Sequence, residues 1–163
     1  MTVHIRRFLP HEAGAYKAIR LEALALDRGM FGNSYETEAA FDDAHWGDRL
    51  RNPDVACFGL FDGEALIGLT SILRDAERRA EAYMTQSYIR KAYRGRGLSA
   101  MLYEARIGWA REVGIARLLI GHRERNAASA AAIRRYGFAF SHCVSRQWPD
   151  GATEDMIYYT LDL

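Results

Sequence analysis

YRGRGLSAML, residues 93–102, puts two arginines and two glycines directly before an apolar helical pattern, and its reading decides the fold. On its N-terminal side AEAYMTQSYI, residues 80–89, reads as a strand, with Ala82, Met84, Gln86 and Tyr88 on one face and Tyr83, Thr85, Ser87 and Ile89 on the other. Both faces carry bulk, as in a central strand. On its C-terminal side Leu98, Leu102, Ala105, Trp109 and Val113 recur at helical spacing until Gly114 ends the pattern. The stretch is therefore a strand-to-helix loop. Its glycines let the backbone approach a ligand closely. The helix start supplies free N–H groups and the positive end of a dipole, which together suit phosphate oxygens. Arg94 and Arg96 add charge, so the expected ligand is a pyrophosphate or something equally anionic.

Working outward, ARLLIGH (116–122) is a short apolar run expected as a buried parallel strand. Asn126 caps AASAAAIRRYG, which Gly137 ends, and FAFSHCVSRQW and EDMIYYTLDL read as strands joined at Pro149-Asp150-Gly151. Upstream, VHIRRF alternates as a strand, and the next helix carries Tyr16, Ile19, Ala23 and Leu26 on its apolar face. Asn33 or Ser34 caps a second helix whose first turn holds Glu36 and Glu38, expected as solvated complements to the helix dipole. DVACFGLFDGEALIGLTSIL (54–73) is a hairpin turning at Asp62-Gly63. The order β-α-α-β-β-β-α-β-α-β-β implies an α/β (α+β) protein. Its central mixed, mostly antiparallel sheet has about seven strands, flanked by four helices and crossed once by a β-α-β unit.

The 163 residues suit one domain spanning the chain, with 49% hydrophobic and 26% charged residues, a composition ordinary for a globular protein. A net charge of +1 provides no global attraction to nucleic acid or an anionic membrane, so an anion site has to be local. No run is apolar and long enough to span a bilayer or act as a signal peptide, which makes a cytoplasmic location the expectation. Cys57 and Cys143 are expected as small buried residues in a reducing compartment, and the five histidines show no metal-ligand spacing.

Three phosphate motifs compete for the Arg-Gly loop. The P-loop pattern is absent, because no lysine follows the second glycine. Gly95, Gly97 and Ala100 satisfy the dinucleotide pattern G-x-G-x-x-A, with Glu124 placed as a ribose-binding acid, which keeps an NAD-dependent oxidoreductase as one alternative. That fold, however, opens with its fingerprint, and here about ninety residues precede it. The third pattern is [QR]-x-x-G-x-[GA], met by Arg94-Gly95-Arg96-Gly97-Leu98-Ser99 with serine in the last place. Through it the chain resembles the GNAT family of acetyl-CoA-dependent N-acetyltransferases, and the likeness extends over residues 87–138 and to the order of elements outside them. RLEALALDRGMFGNSYETEA further resembles a bacterial subgroup of that family.

The resemblance implies transfer of an acetyl group from acetyl-CoA to a primary amine, on a small molecule or a protein, by direct attack in a ternary complex. It assigns cofactor contacts to Tyr88 and Ile89 at the end of the fourth strand, to the loop and helix start from Arg94 through Gly95, Arg96, Gly97, Leu98 and Ser99 to Ala100, and to Asn126. No metal is implied. The tyrosine many family members place seven residues after the asparagine is Ile133 here, which keeps a non-catalytic acyl-CoA-binding module as a second alternative. Ser129 and Tyr136 are the nearest polar substitutes for that acid. The fourth-strand carboxylate of histone-type members is Tyr83, which leaves Glu81 and His122 as candidate bases. Glu36, Glu38, Asp42 and Asp43 give the acceptor side an acidic look that favours a cationic acceptor, and the exposed last strands suggest a homodimer.

Overall fold

A computed structural model describes residues 2–163. Seven strands form one sheet in the order β1-β2-β3-β4-β5-β7-β6: β1 (Val3–Arg7), β2 (Val55–Asp62), β3 (Ala65–Arg74), β4 (Glu81–Ile89), β5 (Arg117–Arg123), β6 (Ala139–Gln147) and β7 (Thr153–Asp162). Neighbours run antiparallel except β4 and β5, which are joined by a crossover through α4 (Ser99–Glu112). A single parallel pair does not make a doubly wound dinucleotide fold, and Glu124 is exposed, so the oxidoreductase reading fails on topology.

Helices α1 (Ala13–Leu26) and α3 (Asp43–Arg51) cover one face of the sheet. There Tyr16, Ile19, Ala23, Trp46 and Leu50 pack on Val55, Cys57, Leu69 and Tyr88. On the opposite face α4 and α5 (Ala127–Arg135) bring Tyr103, Trp109 and Ile133 against Ala56, Phe58, Ile72, Ala82 and Met84. Each helix buries the stripe its spacing marks, with one exception. Leu26, expected in the α1 stripe, is 70% exposed, because the helix ends beside it at Asp27.

Among the described residues there are five α-helices rather than four. The second expected helix divides into α2 (Tyr35–Ala39) and α3, because Asp42 accepts a hydrogen bond from His45 N at 2.9 Å and starts a new helix. Ser34 caps α2 by accepting from Thr37 N at 3.1 Å. The cysteines also diverge: Cys57 is buried, whereas Cys143 lies exposed on β6, an edge strand with almost every residue open to solvent.

The alternation expected along β4 holds only to Met84. Pairing with β3 slips between Leu69 and Ser71, and Gln86 takes a left-handed φ of 58°. The bulge inverts the pleat, so Tyr88 packs with Tyr16 and Trp46 on the face opposite Ala82 and Met84. A non-glycine residue in that conformation costs about 1–2 kcal/mol. Tyr16 Oη, donating to Gln86 Oε1 at 2.8 Å, offsets part of the cost.

Candidate functional site

The bulge lies at the mouth of a gap in the sheet. Parallel pairing of β4 with β5 stops at Met84 opposite Ile120, and from Thr85 to Ile89 the strand has no neighbour on that side. The gap widens into a cleft of about 930 Å³ that runs between the two helical layers. Gly121, the first residue of β5 past the pairing with β4, lies close under β7: a Cβ there would come within 2.6 Å of the Met156 methyl, which would have to shift.

At one end of the gap lies the Arg-Gly loop. Gly95 and Gly97 have φ of 75° and 73°, with open space where a Cβ would stand. Two left-handed glycines in alternation turn successive N–H groups outward. The N–H groups of Gly95, Gly97, Leu98 and Ser99 make no hydrogen bond among the described residues, and α4 has no side-chain cap. Ala100 N, by contrast, is bonded to Gly97 O at 3.3 Å, and the Leu98 side chain is buried against Leu60, Ile67 and Leu102. Four unbonded N–H groups in the loop and at the start of a helix make a cradle of the kind that suits an anion.

The two loop arginines are otherwise engaged. Arg94 lines the cleft, but its guanidinium pairs with Asp27 at 3.0 Å and donates to Ile89 O at 2.6 Å. Arg96 donates to Ala92 O and sits over the Tyr93 ring. Tyr88, Ile89, Ser99 and Asn126 also line the cleft. Tyr88 donates to Glu22 at 2.9 Å, and burial with that bond pushes its hydroxyl up to about 12. Asn126 Oδ1 caps α5 by accepting from Ser129 N at 3.2 Å, leaving its amide N–H groups for a ligand.

Of the residues expected to move protons, His122 and Ser129 line the cleft and Glu81 and Tyr136 do not. Glu81 lies at the far end of β4, level with Arg117 and 3.9 Å from Arg78. Tyr136 stacks on Tyr103 at 4.2 Å, a packing contact. Ile133 is wholly buried in the core. His122 Nδ1 lies 2.7 Å from Arg123 O, a carbonyl that can only accept, so Nδ1 carries the proton and Nε2 accepts from Tyr159 Oη at 3.1 Å. Ser129 Oγ has no hydrogen bond among the described residues.

Four cleft residues escaped the sequence reading. Arg106 is 1% exposed and lies over the Tyr103 ring; its Nη1 and Nη2 have no hydrogen-bond partner among the described residues, while Nε donates to Leu102 O. Burial lowers its pKa to about 10, so it remains charged at neutral pH. Only its place in a helix core stripe could have marked it, since an arginine there has no solvent for its charge. Thr85 Oγ1, Trp46 Nε1 and Arg49 Nε are likewise buried without partners.

The four acidic residues of the acceptor side take different places in the fold. Glu36 pairs with Arg28, Asp42 caps α3, and Asp43 points to Lys17. Glu38, expected in solvent, is 5% exposed and held by Arg20 through two hydrogen bonds of 2.9 and 2.8 Å. Only Glu38 is buried and fully matched; Glu36 and Asp43 stay exposed in weak surface pairs.

Among the described residues no group of three or more histidine, cysteine or acidic side chains could hold a metal, and no helix is long and apolar enough to cross a membrane. Residues 20–138 match the family model described as the acetyltransferase (GNAT) family. An acetyltransferase of that family from Streptococcus pneumoniae superposes with a TM-score of 0.81 at 20% identity, covering 99% of this chain and 100% of the other. The Salmonella typhimurium protein yncA, solved with acetyl-CoA as its cofactor, gives 0.83 at 19% identity, with 100% and 95% coverage. A ribosomal-protein-alanine N-acetyltransferase from Brucella melitensis gives 0.80 at 20%, with 98% and 99% coverage. No curated protein matches the chain.

Proposed function

Since the chain belongs to the acetyltransferase (GNAT) family, we propose that it transfers an acetyl group from acetyl-CoA to a primary amine by direct attack in the cleft. The observation that carries the reading is the conjunction of a sheet gap beyond Met84 and Ile120 with four unbonded N–H groups in the loop and at the start of α4. The cradle suits a pyrophosphate, and the unpaired edge of β4 suits the amide-bearing arm attached to it. Acetyl-CoA supplies an activated thioester, so the protein's contribution is mainly to hold two reactants in line.

In this reading the N–H groups of Gly95, Gly97, Leu98 and Ser99 hold the phosphates, while Asn126 contacts the arm from the start of α5. Arg94 acts through Asp27 and Ile89, fixing the loop rather than meeting phosphate. Arg106, whose Nη groups have no hydrogen-bond partner among the described residues, faces the carbonyl oxygens from the donor side. His122 Nε2, in contact with Tyr159 Oη, takes the proton of the attacking amine directly or through that hydroxyl. Ser129 Oγ donates toward the departing sulfur. The reading includes a single domain, a cytoplasmic location, and pairing of the open β6 edge with a second copy.

The test is a melting-temperature titration with acetyl-CoA, CoA and NAD, followed by a thiol-release assay with amines. A ligand that binds only the folded chain raises the midpoint. The expected result is a shift with both CoA ligands and none with NAD, abolished in Gly97→Glu, and amine-dependent thiol release. A shift without release under any amine identifies a binding module; no shift with CoA ends the proposal.

A further inference from the structure

The charges lining the cleft do not balance. Its two carboxylates, Asp27 and Glu38, are already paired with Arg94 and Arg20. Arg123 is held by Asp150 and Glu154. Arg49 and Arg106 also line the cleft, and among the described residues neither has a carboxylate partner. They stand on opposite faces of the sheet: α4 and Arg106 on the donor side, α3 and Arg49 beside Tyr16 and Ser71 on the other.

On the Arg49 side the unmet nitrogens are all donors, and the unmet Thr85 hydroxyl, paired across the sheet with Ser71, can donate as well. Trp46 Nε1 and Arg20 Nη1 have no partner, although those residues are only 2% and 4% exposed, and Arg49 Nε is buried without one. The fold gathers them. Arg20 lies one turn beyond Tyr16 on α1 and Arg49 one turn beyond Trp46 on α3, while the Tyr16 and Trp46 rings meet at 5.5 Å. Tyr16 Oη donates to Gln86, and Arg49, beside the Tyr16 hydroxyl and the Cys57 thiol, reaches Ser71 Oγ through Nη2 at a long 3.4 Å. A buried donor that forgoes water without gaining an acceptor is costly, and three in one wall point to an acceptor brought by the ligand.

We propose that the acceptor amine carries a carboxylate, received by a subsite made of Arg49, Trp46 Nε1 and Arg20 Nη1. This deepens the acetyltransferase reading and rests on it. A bare ammonium entering a wall with surplus positive charge meets repulsion and leaves the donors unmet. An amino acid, or an amine with an equivalent carboxylate, cancels the charge and satisfies them in a fork suited to guanidinium.

Matched sets test the subsite: phenylalanine, phenylalaninamide and phenethylamine, and likewise lysine and cadaverine, compared by thiol release and by calorimetric titration into the CoA-loaded protein. The carboxylate member is expected to lead its partners in kcat/KM by about tenfold to a hundredfold. Arg49→Gln is expected to erase that lead and Arg49→Lys to restore part of it, with the acetyl-CoA melting shift read on each variant to show that it is folded. Equal or better use of the uncharged members, a lead that survives Arg49→Gln, or no binding of any carboxylate member overturns the subsite, even where simple amines are acetylated. Absence of the acetyl-CoA shift in the unmutated protein would instead remove the reading beneath it.

Discussion

Arg106 states the conflict between folding and activity within one side chain. A guanidinium with 1% exposure and no carboxylate partner has lost its hydration for one hydrogen bond to Leu102 O and a place over the Tyr103 ring. An apolar side chain of similar reach would suit the stripe that Leu102 and Trp109 define better. Arg106→Leu is therefore expected to raise stability by about 1–3 kcal/mol, read as a higher urea midpoint at unchanged slope. The same change is expected to weaken acetyl-CoA binding or turnover by about tenfold or more, since it removes charged donors from the donor side. A variant that loses stability would show that the arginine has partners in solution and that its placement is structural.

At the scale of elements, short polar devices set where helices begin. Ser34 and Asp42 start α2 and α3, and Glu12 fastens the entry to α1 by accepting from Leu9 N at 2.7 Å and from Arg6 at 2.8 and 2.9 Å. The Arg6 hydrogen bonds, reinforced by Leu9 and opposed by burial, lower the Glu12 pKa from 4.5 to about 2. A carboxyl whose folded pKa lies below its unfolded one stabilises above the unfolded value, and that contribution fades as pH falls through the folded one. Melting temperatures measured from pH 5 to pH 2 should therefore fall less steeply in Glu12→Gln than in the unmutated protein. Identical slopes would show that the Arg6 contact is not held in solution. Pro10 marks this junction in the sequence, but the role of Glu12 does not show there, because its partners lie across a turn and on β1.

For the whole molecule, buried pairs tie the acceptor side together. Arg20 on α1 grips Glu38 on α2, and Arg123 on β5 donates to Gly29 O at 2.7 Å, binding the loop after α1 to the β6–β7 turn through Asp150. Removing one member of a buried pair strands the other charge. Glu38→Gln is expected to cost about 3 kcal/mol or more, measured by chemical denaturation, and the double change Arg20→Met with Glu38→Leu to cost much less. A cost under about 1 kcal/mol for the single change would mean that the pair is solvated.

Local chemistry was legible in the residues themselves. The 3.6-residue stripes, Asp62-Gly63, Gly114, Gly137 and the Arg-Gly loop act through neighbours in the chain, and so β4, α4, β5, α5 and the anion cradle followed from sequence. The tertiary structure decided what depends on partners distant in the chain. It placed β7 between β5 and β6, opened the gap after Met84, and inverted the pleat of β4 at Gln86 through contacts with β3 and Tyr16. It also moved Glu38 from an apparent surface to an ion pair and left Arg49 and Arg106 without carboxylates. The reason is physical: a periodic pattern fixes which side of an element is apolar, but the net charge and unmet hydrogen bonds of a cleft are sums over residues that only folding brings within reach.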